Sequence, residues 1–149
     1  MSVNPDVAGR TYPSIAPYQV SREAIRAFAH TVGGQNPIHQ DVEAARAAGH
    51  ADLVAPPTFA IIVAQKAEAA VVADETAGID FSRVVHADQR FTHHRAIVAG
   101  DELTAATTVD GVRAVGTGAM VSFRTDILDG DGHAVSTAVS SLLVRGEDQ

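Results

Sequence analysis

Two hydrophobic rhythms divide the chain: helical spacing from Ser21 to Ala73, and short strand-like segments after Asp80. Ser21 offers a side-chain N-cap and Glu23 sits in the positively polarised first turn. Ile25, Phe28, Ala29 and Val32 then fall at i, i+3, i+4 and i+7, which predicts one apolar helix face. Gly33-Gly34 ends that helix. Asp41 caps a second, short helix, "VEAARAAG", which stops at Gly49. The segment "VAPPTFAIIVAQKAEAAVVAD" starts on Pro56-Pro57 and reads as a helix to about Ala73. From Thr58 to Ala64 it carries no charge on any side, so the pattern predicts a helix buried all round, with Phe59, Ile62 and Val63 almost fully covered.

Beyond Asp80, "VVHADQRF", "ELTAATTVDGV", "AMVSFRTDIL" and "AVSTAVSSLLV" read as strands. Turn signals stand between them at Ala99-Gly100-Asp101, near Val115-Gly116 and at Asp129-Gly130-Asp131-Gly132. Asp101 reads as a turn residue. The third strand alternates best, with Ala119, Val121, Phe123, Thr125 and Ile127 on one face. Connections this short allow antiparallel pairing and exclude parallel crossovers. The prediction is α+β: an antiparallel sheet curled around one buried helix.

Composition narrows the function. The 149 residues suit one domain, 1–149, large enough for a full core. There is no cysteine, so disulfides, thiolate metal sites and cysteine nucleophiles are out. A net charge of -7 argues against a nucleic-acid binder. No apolar run approaches a membrane span, and "MSVNPDVAGR" has no signal-peptide pattern; the expectation is a cytoplasmic protein. Hydrophobic residues make up 46% but aromatic ones only 5%, so small side chains must fill the core. The seven histidines show no HExxH and no ligand set at helical spacing, so no metal is expected. His93 and His94 are strand neighbours and should point to opposite faces.

One histidine has a distinctive frame. In "GGQNPIHQD", Pro37 fixes its own φ and restrains Asn36 to extended conformations, while the Asn36 side chain can bond within the turn. His39 thus gains the stiff mount that general acid/base work requires. An ordinary Asx-Pro turn, with its histidine packed on the second helix, is the plainer reading of the same residues.

"QNPIHQD", then "VAPPTF", then "ADQRFTHHRAIVAGDEL", in that order, resemble the MaoC-like hotdog dehydratases and hydratases. Together with "VAGRTYPSIAPYQVSREAIRAFAHTVG", they are most similar to the actinobacterial branch. That branch resembles the N-terminal dehydratase domain of fungal-type fatty acid synthase and includes subunits of the mycolic-acid (3R)-hydroxyacyl-carrier-protein dehydratase. The resemblance implies a hotdog fold, a long helix wrapped by antiparallel sheet, paired as a homodimer or with another hotdog subunit. It implies reversible syn addition of water across a 2-enoyl thioester carried on coenzyme A or the phosphopantetheine of an acyl carrier protein, with no further cofactor.

The family pattern, Asp-x-Asn-Pro-Ile-His, places its histidine at His39 and its asparagine at Asn36. Its aspartate falls on Gly34, which has no side chain. The glycine whose amide binds the thioester oxygen falls on Pro57, which has no N–H; Thr58 is the substitute donor. Losing one such donor costs about 10² to 10³ in rate. His86 and Asp88, at i and i+2, are candidates to bring a carboxylate near His39 or near a partner's site, or else form an exposed strand-face pair. Lys66, Arg90 and Arg95 are candidates for carrier phosphates. Ala60, Ala64, Ala67 and Val71 leave room for an acyl chain beside the helix, or for close sheet packing. Three functions follow: a dehydratase or hydratase using His39, an acyl-binding but catalytically incomplete subunit of a heterodimeric dehydratase, or a thioesterase or other addition chemistry.

Overall fold

The computed structural model describes residues 2–147. Helix α1 spans Arg22–Thr31, capped as its sequence predicts: the Ala24 N–H donates to the Ser21 hydroxyl. Helix α2 is Val42–Ala47, capped by Asp41 through the Glu43 N–H. Helix α3, Ala60–Ala73, follows a 3-10 turn over Pro57–Phe59. The two prolines therefore make a tight turn first, and regular helix begins only at Ala60.

Five strands follow the order β1-β3-β4-β5-β2: β1 Tyr18–Gln19, β2 Val84–His93, β3 Glu102–Val115, β4 Gly118–Leu128 and β5 Ala134–Val144. All pairings are antiparallel. Inward alternation is clean on β4, where Val121, Phe123, Thr125 and Ile127 are buried. The sheet curls over α3, which touches β3, β4 and β5. This is the hotdog arrangement.

Two apolar clusters lie under the helix. Phe59 and Val63 centre one, with Ile25, Leu53, Leu103 and Ile127; Val71 centres the other, with Tyr12, Val109, Phe123 and Leu142. Phe28 meets Phe59 edge-on at 5.5 Å. Phe59 and Val63 are fully buried as expected, but Ile61 and Ile62 remain half-exposed. The sheet covers one side of α3, so a flank bearing Ile62, Gln65 and Lys66 stays open within a single chain. Val32, expected on the apolar face of α1, is also exposed, since it lies past the last helical turn as the C-cap.

The two sheet edges differ. The N-terminal segment runs along β3, with hydrogen bonds from Gly9, Tyr12 and Ile15 amides to Val109, Thr107 and Ala105 carbonyls. Strand β2 ends the sheet on the other side, and no strand of the described residues pairs with its outer edge. Phe81 and Val85, beside that edge, are exposed.

Candidate functional site

His39 closes a 3-10 turn, Pro37–His39. Asn36 is extended, as a residue before proline should be, and its side chain accepts from the Ile38 N–H. The turn is tied to the segment before α3, where the Val54 N–H donates to the Ile38 carbonyl. In return His39 Nδ1 lies 2.6 Å from the Val54 carbonyl oxygen. A carbonyl only accepts, so Nδ1 must carry the proton, which leaves Nε2 of the neutral ring as a free acceptor. His39 as a residue is 8% exposed. A ring held by its Nδ1, with Nε2 left over, is what this local sequence builds.

Val54 is itself well held. Arg22 grips Asp52 through both carboxylate oxygens at 3.0 and 2.8 Å, tying α1 to this segment. That guanidinium, with the Leu53 N–H, lowers the Asp52 carboxyl to about 2. The Ala55 and Ala99 amides donate to the Ile97 and Leu53 carbonyls, which brings residues 95–97 beside His39.

A cleft of about 390 Å³ opens there, lined by Asn36, His39, Pro56, Pro57, His93 and Ile97 among others. His93 is a residue that its neighbour-pair pattern did not mark as a site residue. It shares strand parity with Phe91, stacks on that ring at 5.6 Å and bonds Ser136 Oγ through Nδ1 at 3.0 Å. His94, on the other face, lies 3.4 Å from Thr137 Oγ1.

Gly34 sits against the histidine. A Cβ built on it would lie 3.5 Å from His39 Cδ2, an ordinary contact. Its φ is outside the left-handed region, whereas Gly33 holds φ +73° and takes the turn out of α1. A side chain at position 34 would therefore point at the edge of the His39 ring without backbone strain. No carboxylate of the described residues bonds His39. Pro57 lines the cleft mouth, and exposed Thr58 carries the first amide after the two prolines. As one of the first helical amides, it has no acceptor one turn back within the helix.

The remaining candidates lie elsewhere. His86 and Asp88 flank a β-bulge, where His86 Nε2 donates to the Asp88 backbone carbonyl at 3.1 Å. The Asp88 carboxylate pairs with Arg90. Neither lines the His39 cleft. Arg95 does line it, but its guanidinium is clamped by Asp101 at 2.8 and 3.1 Å. Asp101 also accepts from the Val98 N–H, which makes it a turn residue. Lys66 Nζ sits 5.7 Å over the Tyr18 ring. Among the described residues, Asp129, Asp131 and His133 bring three potential metal ligands together, but Asp129 already pairs with Arg95 and holds its own turn's amides.

A buried carboxyl also escaped the sequence reading. Glu68, on the inner face of α3, hydrogen-bonds Ser140 Oγ, and burial pushes its pKa up.

Comparison with known proteins places the chain. Residues 6–138 match the family described as FAS1-like, dehydratase domain region. A UPF0336 protein of Leifsonia xyli subsp. xyli is 57% identical over 146 residues, covering 98% of each chain. A UPF0336 protein of Streptomyces griseus subsp. griseus is 43% identical, covering 100% of this chain and 99% of that one. Among solved structures, a MaoC-like dehydratase superposes with a TM-score of 0.86 at 29% identity; the match covers 95% of this chain but only 43% of that longer one. The C-terminally truncated HadBC (3R-hydroxyacyl-ACP dehydratase) complex from Mycobacterium tuberculosis gives a TM-score of 0.81 at 33% identity, covering 93% and 97%. With its hotdog architecture and its asparagine-proline-histidine turn, the chain belongs to the MaoC-like, FAS1-like dehydratase family.

Proposed function

We propose that this chain is the acyl-thioester-holding subunit of a (3R)-hydroxyacyl-thioester dehydratase, with the acid–base pair supplied by a second hotdog subunit. One observation carries the reading: the position that would bear a carboxylate against His39 is Gly34, whose side chain is absent. Dehydration needs a base for the C2 proton, an acid for the leaving hydroxyl, and a donor for the charge on the thioester oxygen. His39 can serve in proton transfer, but it has no carboxylate beside it, and Pro57 removes the amide at the family's oxygen-binding position. The subunit assignment is in keeping with the related dehydratase complex, which has two different chains in its name.

The partner's place is the outer edge of β2. A ten-residue strand with an unpaired edge attracts another strand, and the exposed Phe81 and Val85 beside it favour burial. The half-open flank of α3 at Ile62 would be covered in the same assembly. Coenzyme A or the phosphopantetheine of a carrier protein would bring the acyl chain, in a cytoplasmic setting.

The alternative, a hydratase acting alone, is favoured by the tautomer of His39, which leaves Nε2 ready to accept a proton. Crotonyl-coenzyme A hydration by wild type, His39→Ala and Gly34→Asp decides between them. The two-subunit reading expects little solo activity, a gain in Gly34→Asp, and near-normal activity of the His39→Ala chain once a partner is present. Strong solo activity lost in His39→Ala would establish the alternative.

A further inference from the structure

Pro57 has no N–H, so the His39 cleft lacks a backbone donor where the family pattern places one for a thioester oxygen. Most other donors around the cleft are engaged. The Ile38 amide bonds Asn36 Oδ1, and the Val54 and Ala55 amides bond the Ile38 and Ile97 carbonyls. His39 gives its one proton to the Val54 carbonyl and presents Nε2 as an acceptor. The Arg95 guanidinium is bonded to Asp101 and Asp129, neither of which lines the cleft. That leaves the Thr58 amide, Asn36 Nδ2 on an exposed residue, and His93.

His93 is the one of the three that its surroundings orient as a ring. It stacks on Phe91, with 5.6 Å between centroids and 10° between planes. Its Nδ1 lies 3.0 Å from Oγ of Ser136, the residue paired with it across the ladder. Ser136 is buried, and its hydroxyl has one hydrogen to place between His93 Nδ1 and the Thr92 carbonyl. The contact to Nδ1 is of ordinary hydrogen-bond length, whereas the one to Thr92, at 3.4 Å, is beyond it. The hydrogen therefore lies towards Nδ1, and the proton of the neutral His93 ring sits on Nε2. The two histidines of the cleft are thus opposite in character: His39 offers an accepting Nε2 and His93 a donating one.

We propose that His93 is the residue through which this chain holds a thioester carbonyl, its Nε2–H taking the place of the amide lost at Pro57. This rests on the reading of the chain as a thioester-holding subunit. A thioester oxygen accepts and cannot donate, so it suits His93 and not the lone pair of His39 Nε2. His93 is exposed within a single chain, which leaves its donor open to a ligand. The wall around it, with Val54, Ala55, Pro56 and Ile97, is apolar, so a hydrogen bond formed there is shielded from water.

The test compares hexanoyl-coenzyme A, which is saturated and does not turn over, with S-hexyl-coenzyme A, a thioether without the carbonyl. Both are titrated calorimetrically into the full chain in its native assembly. Wild type should prefer the thioester about tenfold, the worth of one hydrogen bond to an otherwise unpaired donor. His93→Phe keeps a ring to stack but has no donor, and should abolish that preference. His93→Gln restores an N–H and should keep a preference of at least about threefold. The infrared band of an isotope-labelled thioester carbonyl should lie lower when bound to wild type and His93→Gln than to His93→Phe, a shift that packing alone does not produce. Thermal melts confirm that each variant folds. Independently of any variant, hexanoyl-coenzyme A should move the His93 Nε2 proton in NMR of wild type, and the thioether should not. No binding of hexanoyl-coenzyme A to wild type would overturn both this proposal and the thioester-holding reading. Binding with an unchanged preference and carbonyl band in His93→Phe, loss of the preference in Asn36→Ala alone, or a His93 Nε2 that carries no proton would overturn the role of His93 and leave that reading standing.

Discussion

The two ends of α3 solve opposite problems. At its N-terminal end a titratable ring is mounted by backbone: the Asn36-Pro37 corner, the Val54 carbonyl and the clamp from Arg22 to Asp52. At its C-terminal half a carboxyl is held by burial, with one serine and an unsatisfied glutamine nearby. The first end has an imidazole with no carboxylate bonded to it among the described residues; the second has a buried carboxyl with His86 as a titratable neighbour.

Removing what supports each end sharpens that contrast. Phe59 is fully buried between α1 and the sheet at the His39 end. Phe59→Ala should cost about 3–5 kcal/mol in urea unfolding, far more than any change in the polar groups of that end.

Glu68 predicts a pH signature. Its folded pKa is raised, first by desolvation, with the Ser140 bond and the neighbouring His86 acting against this. The stability it permits is fully present below the ordinary glutamate range and is lost as pH rises through the raised value. Thermal melts across that window should fall with pH in wild type and flatten in Glu68→Gln. Identical slopes would place the Glu68 carboxyl in water.

Asn36→Ala removes the side-chain acceptor of the Ile38 amide and should cost about 1 kcal/mol, the worth of a cap. It should also loosen His39, visible as a weaker protection of its Nδ1 proton in NMR. Smallest is Asp52→Asn, an exposed-partner ion pair worth about 1 kcal/mol or less. Asp52 is depressed to about 2, so its contribution is present above the ordinary aspartate range and vanishes as pH falls towards that value. Wild type and Asp52→Asn should differ at pH 7 and converge near pH 2.

Local signals were legible because local chemistry fixes them. Ser21 and Asp41 cap their helices, Asp101 makes its turn, and the Val121-Phe123-Thr125-Ile127 alternation faces inward. The Asn36-Pro37-Ile38-His39 corner likewise declared its stiffness. Long-range placements did not show. That the Val54 carbonyl would accept a hydrogen bond from His39 Nδ1 depends on a pairing between residues 53–55 and 97–99 that no local pattern encodes. His93 was hidden because its role follows from facing Ser136 across a ladder, and Glu68 because a lone glutamate on an alanine-rich helix resembles a surface residue. The i, i+2 spacing of His86 and Asp88 does not put both on one strand face, because a bulge between them breaks the strand's parity.

The central claim is that the acid–base site is incomplete in one chain. The most direct measurement is crotonyl- and longer enoyl-coenzyme A hydration by this protein alone, and then mixed with a hotdog chain carrying an intact Asp-x-Asn-Pro-x-His motif. The account predicts little turnover alone and a rise of at least about 10² in the mixture, the scale of a restored catalytic group, which is lost when the partner's aspartate or histidine is replaced. Full turnover by the protein alone, unchanged by the partner, would contradict it.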